Sequence, residues 1–458
     1  MSRVYAHFIG IGGAGMSALA RVLHERGVPV SGSDLKESRY ASALADLGIP
    51  VAIGHAAENL GDPEVVVVSS AIPESNPELL EARRRGIPVW SRAEMLAHLG
   101  AGRKTLAVAG THGKTTTSSM LTTALVHLGC DPTFLIGGEL NDMGSNARNG
   151  SGEHYVVEAD ESDGSFVCLD PYVAVVTNIE ADHLDHYGSL DDVVAAFGEF
   201  IGKTDPDGFV VACADDPRLT EVARSRSRAR VITYGASAAA DVRFSLVEQQ
   251  GIGWAFDVAF PDGTVLRCQT SVPGVHNASN ATAVLAVTWA LGLDVQAATE
   301  AVRAFSGVRR RFERVGEQGG VTVVDDYAHH PTEVRATLAA ARQATGARRI
   351  LAVFQPHRYS RTAALAPEFG AAFDDADQIV LMDVYAAGEA PIPGVSGKSI
   401  LDALLEHDPR AQAAYFPHRA DVAPYVARRA RPGDLVITLG AGDVTLLARD
   451  VVRELAGE

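Results

Sequence analysis

Short apolar runs and helical periodicities alternate along most of the chain. In the first hundred residues, runs at 4–9, 28–31, 65–69 and 87–90 are continuous and rich in β-branched residues, as strands buried on both faces of a parallel sheet require. Between them, residues 16–24 and 77–85 repeat apolar positions at helical spacing. The rhythm predicts a βαβ domain. It resumes after about residue 104: strands are expected at 105–109, 155–158 and 173–177, a helix from 117 to 128, and a β-rich stretch between 230 and 271. A third alternating region has strands at 321–324, 350–354, 379–382 and 435–438. The fold class expected is therefore α/β, with three domains: a Rossmann-like domain at 1–101, a central P-loop ATPase-type domain at 102–306, and a second Rossmann-like domain at 307–458.

Composition agrees with this outline and narrows the function. The chain has 458 residues, 47% hydrophobic and 21% charged, with its 44 glycines and 21 prolines spread along it, which argues against disorder or a repeat array. Lysine and arginine total 40 against 57 aspartates and glutamates, a net charge of −17, so nucleic acid and anionic membrane surfaces are not expected partners. Anionic ligands must be captured by local donors instead. Four cysteines, Cys130, Cys168, Cys213 and Cys268, have no paired spacing for zinc or redox chemistry. The apolar start is interrupted by glycines and lacks a basic flank, so it reads as strand and turn, not as a signal peptide. No run reaches the ~18 apolar residues of a membrane helix. A cytoplasmic protein, monomer or homodimer, is expected.

The most specific chemistry lies in Gly110-Thr-His-Gly-Lys-Thr-Thr-Thr117, between a strand pattern and a helical one. Gly110 and Gly113 let the backbone turn tightly so that the N–H groups of Thr111, His112 and their neighbours converge on a polyphosphate. Lys114 adds a full charge and Thr115 a hydroxyl for Mg²⁺, with Thr116 counted among the residues of the nucleotide loop. This loop is shorter than the usual G-x-x-x-x-G-K-[ST] pattern, which would need glycine where Val108 stands. Glu158-Ala-Asp-Glu-Ser-Asp163 leaves a predicted strand with four carboxylates, a cluster that demands solvent or a cation; Glu158 is the candidate Mg²⁺ ligand. His183, beside Asp182, ends the following strand, which is expected to lie next to the acidic one and bring both ends together.

At the N-terminus Gly10, Gly12 and Gly15 form a G-x-G-x-x-G turn, accompanied by Gly13 and Met16. Asp34 follows the second strand at the distance of a ribose-binding acid, and Ser69 and Ser70 end a third strand. The turn suits any pyrophosphate ligand, NAD or a UDP-sugar. Asn277 and Asn280 place two amides on one face near a helix start, suited to adenine or, for Asn277, to capping. Tyr327, His329, His330, Arg358 and Arg361 close two strands expected to be adjacent, and the arginines suit a carboxylate or phosphate.

Taken together, these motifs resemble the Mur ligases, ATP-dependent amide-forming enzymes of peptidoglycan synthesis. The resemblance rests on Gly110–Thr117, Glu158–Asp163, Thr177-Asn-Ile-Glu-Ala-Asp-His183, His276-Asn-x-x-Asn280, Arg309-Arg-Arg-Phe-Glu313 and Asp325-Asp-Tyr-Ala-His-His-Pro-Thr-Glu333. It implies ATP at the P-loop with Asn277, Asn280 and Arg310, Mg²⁺ at Thr115, Glu158 and His183, and UDP-sugar at the N-terminal turn. Amino acid would be held by Tyr327, His329, Arg358 and Arg361. The start Gly10–Met16, Gln355–Arg361 and Tyr385–Pro393 are similar to the branch that joins L-alanine to UDP-N-acetylmuramate, and Ser162 and Tyr327 favour it over the branch that attaches a recycled tripeptide. Several members carry a modified lysine where this chain has Gly198, so no carbamylated lysine is expected. An NAD-dependent dehydrogenase and a non-catalytic nucleotide switch are rival readings; the first leaves the P-loop and the third-domain cluster unused, and an amide product would exclude the second.

Overall fold

The structure, a computed structural model, describes residues 5–344 and 346–457. Val4, expected at the head of the first strand, lies outside the described residues. Contacts divide the chain into two compact units, residues 1–243 with 282–301, and residues 244–281 with 302–458.

The first unit contains two sheets. The N-terminal one has strands β1 (Ala6–Ile9), β2 (Val30–Asp34), β3 (Val51–Ile53), β4 (Val65–Val68) and β5 (Val89–Ser91), all parallel in the order β3-β2-β1-β4-β5. The order reverses between β1 and β4, the crevice in which open α/β sheets bind ligands. Its helix Ala14–Glu25 starts directly from the glycine turn and buries Met16, Leu19, Val22 and Leu23.

The second sheet of this unit is built on β6 (Lys104–Ala109), β7 (Thr133–Leu140), β8 (Ser145–Arg148), β9 (His154–Glu158), β10 (Val173–Val176), β11 (Phe209–Cys213) and β12 (Arg230–Gly235), in the order β12-β11-β10-β6-β9-β7-β8. The acidic strand β9 and the histidine strand β10 are therefore not neighbours as expected from sequence. β6 runs parallel to both, from between them, and places the P-loop at the centre of the two strand ends. The helix after the loop begins at Lys114, three residues earlier than its apolar pattern suggests, because Gly113 adopts a left-handed conformation (φ 84°) that ends the loop there. Its run of threonine and serine is a weak helix former. Burial holds it in place: Thr117, Ser118 and Ser119 are inside, and Thr122 Oγ1 donates to the carbonyl of Ser118 at 2.8 Å.

In the second unit, β13 (Val242–Gln250), β14 (Gly253–Ala259) and β15 (Val265–Gln269) form a ribbon, its last two strands antiparallel. A six-stranded sheet follows: β16 (Glu313–Gln318), β17 (Val321–Asp326), β18 (Arg349–Phe354), β19 (Gln378–Met382), β20 (Ala413–Phe416) and β21 (Asp434–Leu439), in the order β16-β17-β21-β18-β19-β20, with only β16 antiparallel. Here too the expected adjacency fails, since β21 separates β17 from β18. The period of two is explicit in the core. Ile350, Ala352 and Phe354 pack with Ile437 and Leu439 against helices Pro331–Ala344 and Gly397–His407. Leu351, Val353 and Val436 pack on the other face against Arg419–Arg429 and Val444–Ala456. The sheet is doubly wound.

Candidate functional site

The P-loop is shaped from below by the end of β10. A Cβ at Gly110 (φ 135°) would overlap Thr177 Oγ1, so only glycine lets the two strand ends approach. Thr177 Oγ1 donates to the carbonyl of His112 at 2.5 Å. Asn178 accepts the N–H of His112 on Oδ1 at 2.8 Å and returns a bond to its carbonyl at 3.1 Å. Thr111 Oγ1 accepts the N–H of Glu180 at 2.8 Å. Thr177 and Asn178 were not singled out as site residues in the sequence. They act on backbone atoms, which leave no signature of charge or periodicity.

Within the loop, Lys114 is tied down on three sides. Its Nζ donates to the carbonyl of Gly110 at 2.6 Å and to Glu161 Oε1 at 2.9 Å, and lies 2.8 Å from Glu161 Oε2. Burial works against the lysine's charge, but Glu161, Asp160 and Glu158 outweigh it and hold its pKa above the ordinary value. Glu161 is 2% exposed, and burial pushes its carboxyl up to about 7 although Lys114 pulls the other way. His183, at φ 54°, directs Nε2 to 3.7 Å from Glu161 Oε1 and 3.6 Å from Asp182 Oδ2. Thr115 Oγ1 donates to Glu158 Oε1 at 3.0 Å, and Glu158 Oε2 accepts the N–H of Gly137 at 2.8 Å. The structure thus joins Thr115 to Glu158, a hydroxyl and a carboxylate of the kind Mg²⁺ prefers, and sets His183 beside Glu161 and Asp182.

At the N-terminal turn, Asp34 is already engaged. Its Oδ2 accepts the N–H of Gly12 at 2.9 Å, closing the turn on itself. A Cβ at Gly12 would sit 2.9 Å from both Asp34 Oδ2 and Ser38 Oγ, and one at Gly10 (φ 83°) would sit 3.1 Å from Ser69 Cβ. Gly13 precedes the helix, its carbonyl accepting the N–H of Ser17 at 2.9 Å. Met16 is a core residue, 3% exposed, whereas Ser70 lies in the turn after β4, exposed to solvent. A Cβ at Gly15 would meet Arg92 Nη1 at 3.1 Å, and the Nη2 of that arginine is 3.7 Å from Asp160 Oδ2. Arg92 therefore spans the glycine turn and the acidic motif.

In the second unit the rings of Tyr327 and His329 are 5.3 Å apart, His329 and His357 5.8 Å, and His357 and Tyr385 stack at 5.7 Å. Arg361 Nη1 lies 3.5 Å from His357 Nδ1. Burial, then the charges of His329, Arg361, Arg358 and Arg310, push the His357 imidazole down to about 3, so it stays neutral. Arg358 takes a left-handed backbone (φ 70°) and donates its N–H to the carbonyl of Tyr385 at 2.9 Å. His357 and Tyr385 join this cluster unforeseen, through a bridge between two chain segments. His330 is buried, its Nδ1 accepting the N–H of Thr332 at 3.3 Å. Arg310 donates to Asp325 Oδ2 at 3.2 Å and to the carbonyl of Gly440 at 2.6 Å, with its guanidinium 4.8 Å over the ring of Tyr327. Asn277 donates to the carbonyl of Pro273 at 2.7 Å and accepts from Asn280 at 2.9 Å, so it closes the preceding turn instead of capping the helix N–H groups.

Comparison with known proteins covers nearly the whole chain. Residues 5–104 match the Mur ligase family, catalytic domain, residues 108–288 the Mur ligase middle domain, and residues 310–442 the Mur ligase, glutamate ligase domain. The UDP-N-acetylmuramate–L-alanine ligase of Acidothermus cellulolyticus is 50% identical over 445 residues, 96% of this chain and 93% of that protein. The crystal structure of the UDP-N-acetylmuramate-alanine ligase MurC from Thermotoga maritima superimposes with a TM-score of 0.82 at 31% identity, covering 99% of both chains. A murein peptide ligase from Psychrobacter arcticus shares the fold, with a TM-score of 0.75 at 24% identity.

Proposed function

The chain belongs to the Mur ligase family, and we propose that it joins L-alanine to the lactyl carboxylate of UDP-N-acetylmuramate at the expense of ATP, in peptidoglycan precursor synthesis. The observation that carries the reading is the placement of Lys114, Thr115 and Glu158 at the common end of β9, β6 and β10. The identity with alanine-adding relatives selects the acceptor.

The reaction starts with a lactyl carboxylate oxygen attacking the γ-phosphorus of ATP, which gives an acyl phosphate and ADP. The amine of L-alanine then adds to the acyl carbon. The tetrahedral intermediate loses the amine proton and expels phosphate, leaving the amide. Charge neutralisation and positioning dominate the first step. Lys114 turns its ammonium from Glu161 toward the β- and γ-phosphates, the loop N–H groups hold the phosphate oxygens, and Thr115 with Glu158 and His183 would hold Mg²⁺. When bound, Mg²⁺ supplies Lewis-acid charge to the phosphoryl oxygens.

Gly10, Gly12 and Gly13 leave room for a UDP-sugar diphosphate, with Ser69 and Ser70 at the rim of the same crevice. Arg358 and Arg361 pair with the alanine carboxylate beside Tyr327 and His329, while Arg310, Asn277 and Asn280 serve the nucleotide. Among the described residues no helix is long and apolar enough to cross a membrane. The test is phosphate release with UDP-N-acetylmuramate and ATP, comparing L-alanine, glycine and the tripeptide, with the product identified by mass. Alanine is expected to give the highest kcat/KM; a preference for the tripeptide would assign the chain to peptide recycling.

A further inference from the structure

Beneath the N-terminal sheet lies a carboxylate that the reaction does not use. Glu78, at the start of helix Pro77–Arg84, is fully buried. Its Oε2 is 3.0 Å from His7 Nε2 and accepts from Ser33 Oγ at 2.6 Å. Its Oε1 accepts the N–H of Ala56 at 3.1 Å and Asn59 Nδ2 at 2.9 Å, and His55 Nδ1 lies 3.5 Å away. One carboxylate thus holds β1, the end of β2 and the loop 54–59.

Each of these contacts leads toward the glycine turn. The carbonyl of Ser33 accepts the N–H groups of Gly10 and Ile11 at 2.8 and 3.0 Å, and the next residue, Asp34, accepts that of Gly12. The loop is fastened to the same strand end: Gly54 donates its N–H to the carbonyl of Asp34 at 2.7 Å, and His55 Nδ1 lies 2.9 Å from Ser33 Oγ. A buried charge is a poor stabiliser compared with apolar residues of equal volume. What this one achieves is fixed geometry, because a carboxylate that receives several donors holds each at a defined distance.

We propose that Glu78 is a positioning residue for the UDP-sugar, holding the end of β2 and the loop 54–59 in register with the turn Gly10–Gly13. The inference rests on the reading that this turn receives the UDP-sugar. Glu78 does not touch the ligand; it sets the backbone that does.

Glu78→Gln keeps the shape and removes the charge. The KM for UDP-N-acetylmuramate should rise roughly tenfold, the loss of about one charge-assisted hydrogen bond. The kcat at saturation and the KM values for ATP and L-alanine should stay within about twofold, since those sites do not share the network. A lower melting temperature and active fraction with an unchanged UDP-sugar KM would make Glu78 merely structural and overturn the proposal, as would an equal rise in the ATP KM. Should that variant not fold, Asn59→Ala removes one of the links between Glu78 and the loop, together with the amide's bond to the carbonyl of Gly54; it should raise the same KM by roughly threefold, and no change overturns the proposal. Calorimetry of UDP-N-acetylmuramate separates the two layers of argument. Failure of the unmodified protein to bind it rejects the reading of the turn, whereas equal binding by the unmodified protein and by Glu78→Gln rejects only the positioning role.

Discussion

Removing the P-loop lysine should expose the charge it neutralises. In Lys114→Ala, Glu161 keeps its burial at 2% exposure but loses the ammonium at 2.8–2.9 Å. Breaking a buried ion pair while its partner must stay charged costs about 3–5 kcal/mol. Protonation offers a way out, because the Glu161 carboxyl is already raised to about 7 and loses the one charge that pulls it down. A carboxyl with a raised folded-state pKa is favourable at low pH, and its contribution is lost as pH rises through that value. The variant should therefore melt close to the unmodified protein at pH 5.5 and well below it at pH 8.5. Ligation should fall by roughly 10²–10³-fold or more at both, as when a charge stabilising the transition state is removed, with UDP-sugar affinity nearly intact. Adding Glu161→Gln to Lys114→Ala should restore the melting temperature at pH 8.5 without restoring turnover. A melting-temperature difference independent of pH, or substantial ligation by the lysine variant, would refute the reasoning.

Three further outcomes follow from other parts of the structure. Glu158→Ala and His183→Ala should shift the Mg²⁺ titration of activity to higher concentration, and curves that overlay the parent's would remove both from the metal site. Gly12→Val should weaken UDP-sugar binding by pushing Asp34 and Ser38 out of the turn, with ATP affinity measured alone unchanged; calorimetry of both ligands decides. Arg361→Ala should raise the KM of L-alanine far more than that of ATP, by roughly 10-fold or more, whereas alaninamide, a poor acceptor for the parent, should lose little further. Equal penalties for the two acceptors would give Arg361 a different role.

Acid stability offers an independent check on the N-terminal network. Burial pushes the Glu78 carboxyl up, but hydrogen bonds from His7, Ser33 and Asn59 prevail and hold it at about 2, below the ordinary 4.5. The stability it lends is present above that ordinary value and lost as pH falls toward 2. Glu78→Gln should flatten the acid limb of the melting curve, and an unchanged limb would show that the charge is not coupled to folding.

Strand positions were largely legible because buried parallel strands leave continuous apolar runs such as Val65–Val68, whatever their order. Adjacency was not. Nothing local to Glu158 or His183 records that β6 inserts between their strands, because crossover connections are chosen by the packing of the whole sheet. The hairpin β7–β8 also escaped notice: Gly137 and Gly138 interrupt its apolar run. Of the site, residues with charge or unusual spacing stood out, including Lys114, Glu158, His183 and the paired arginines. Glu161 was visible only as one carboxylate among four, and its contact with Lys114 depends on the loop that follows β9. Thr177, Asn178 and His357 lay within recognised motifs without a role of their own, and Arg92 within none, because all four work through backbone contacts or segments distant in sequence. Asp34 was seen, but its engagement by Gly12 could come only from three dimensions.

The central claim is that the lactyl carboxylate is activated by direct phosphoryl transfer before L-alanine attacks. UDP-N-acetylmuramate carrying ¹⁸O in both lactyl carboxylate oxygens tests it most directly, with the released phosphate analysed by mass. One labelled oxygen should appear in each phosphate formed with amide, the other remaining in the amide carbonyl. Unlabelled phosphate accompanying labelled amide would contradict the account, because the carboxylate would then not have become the bridging oxygen of an acyl phosphate.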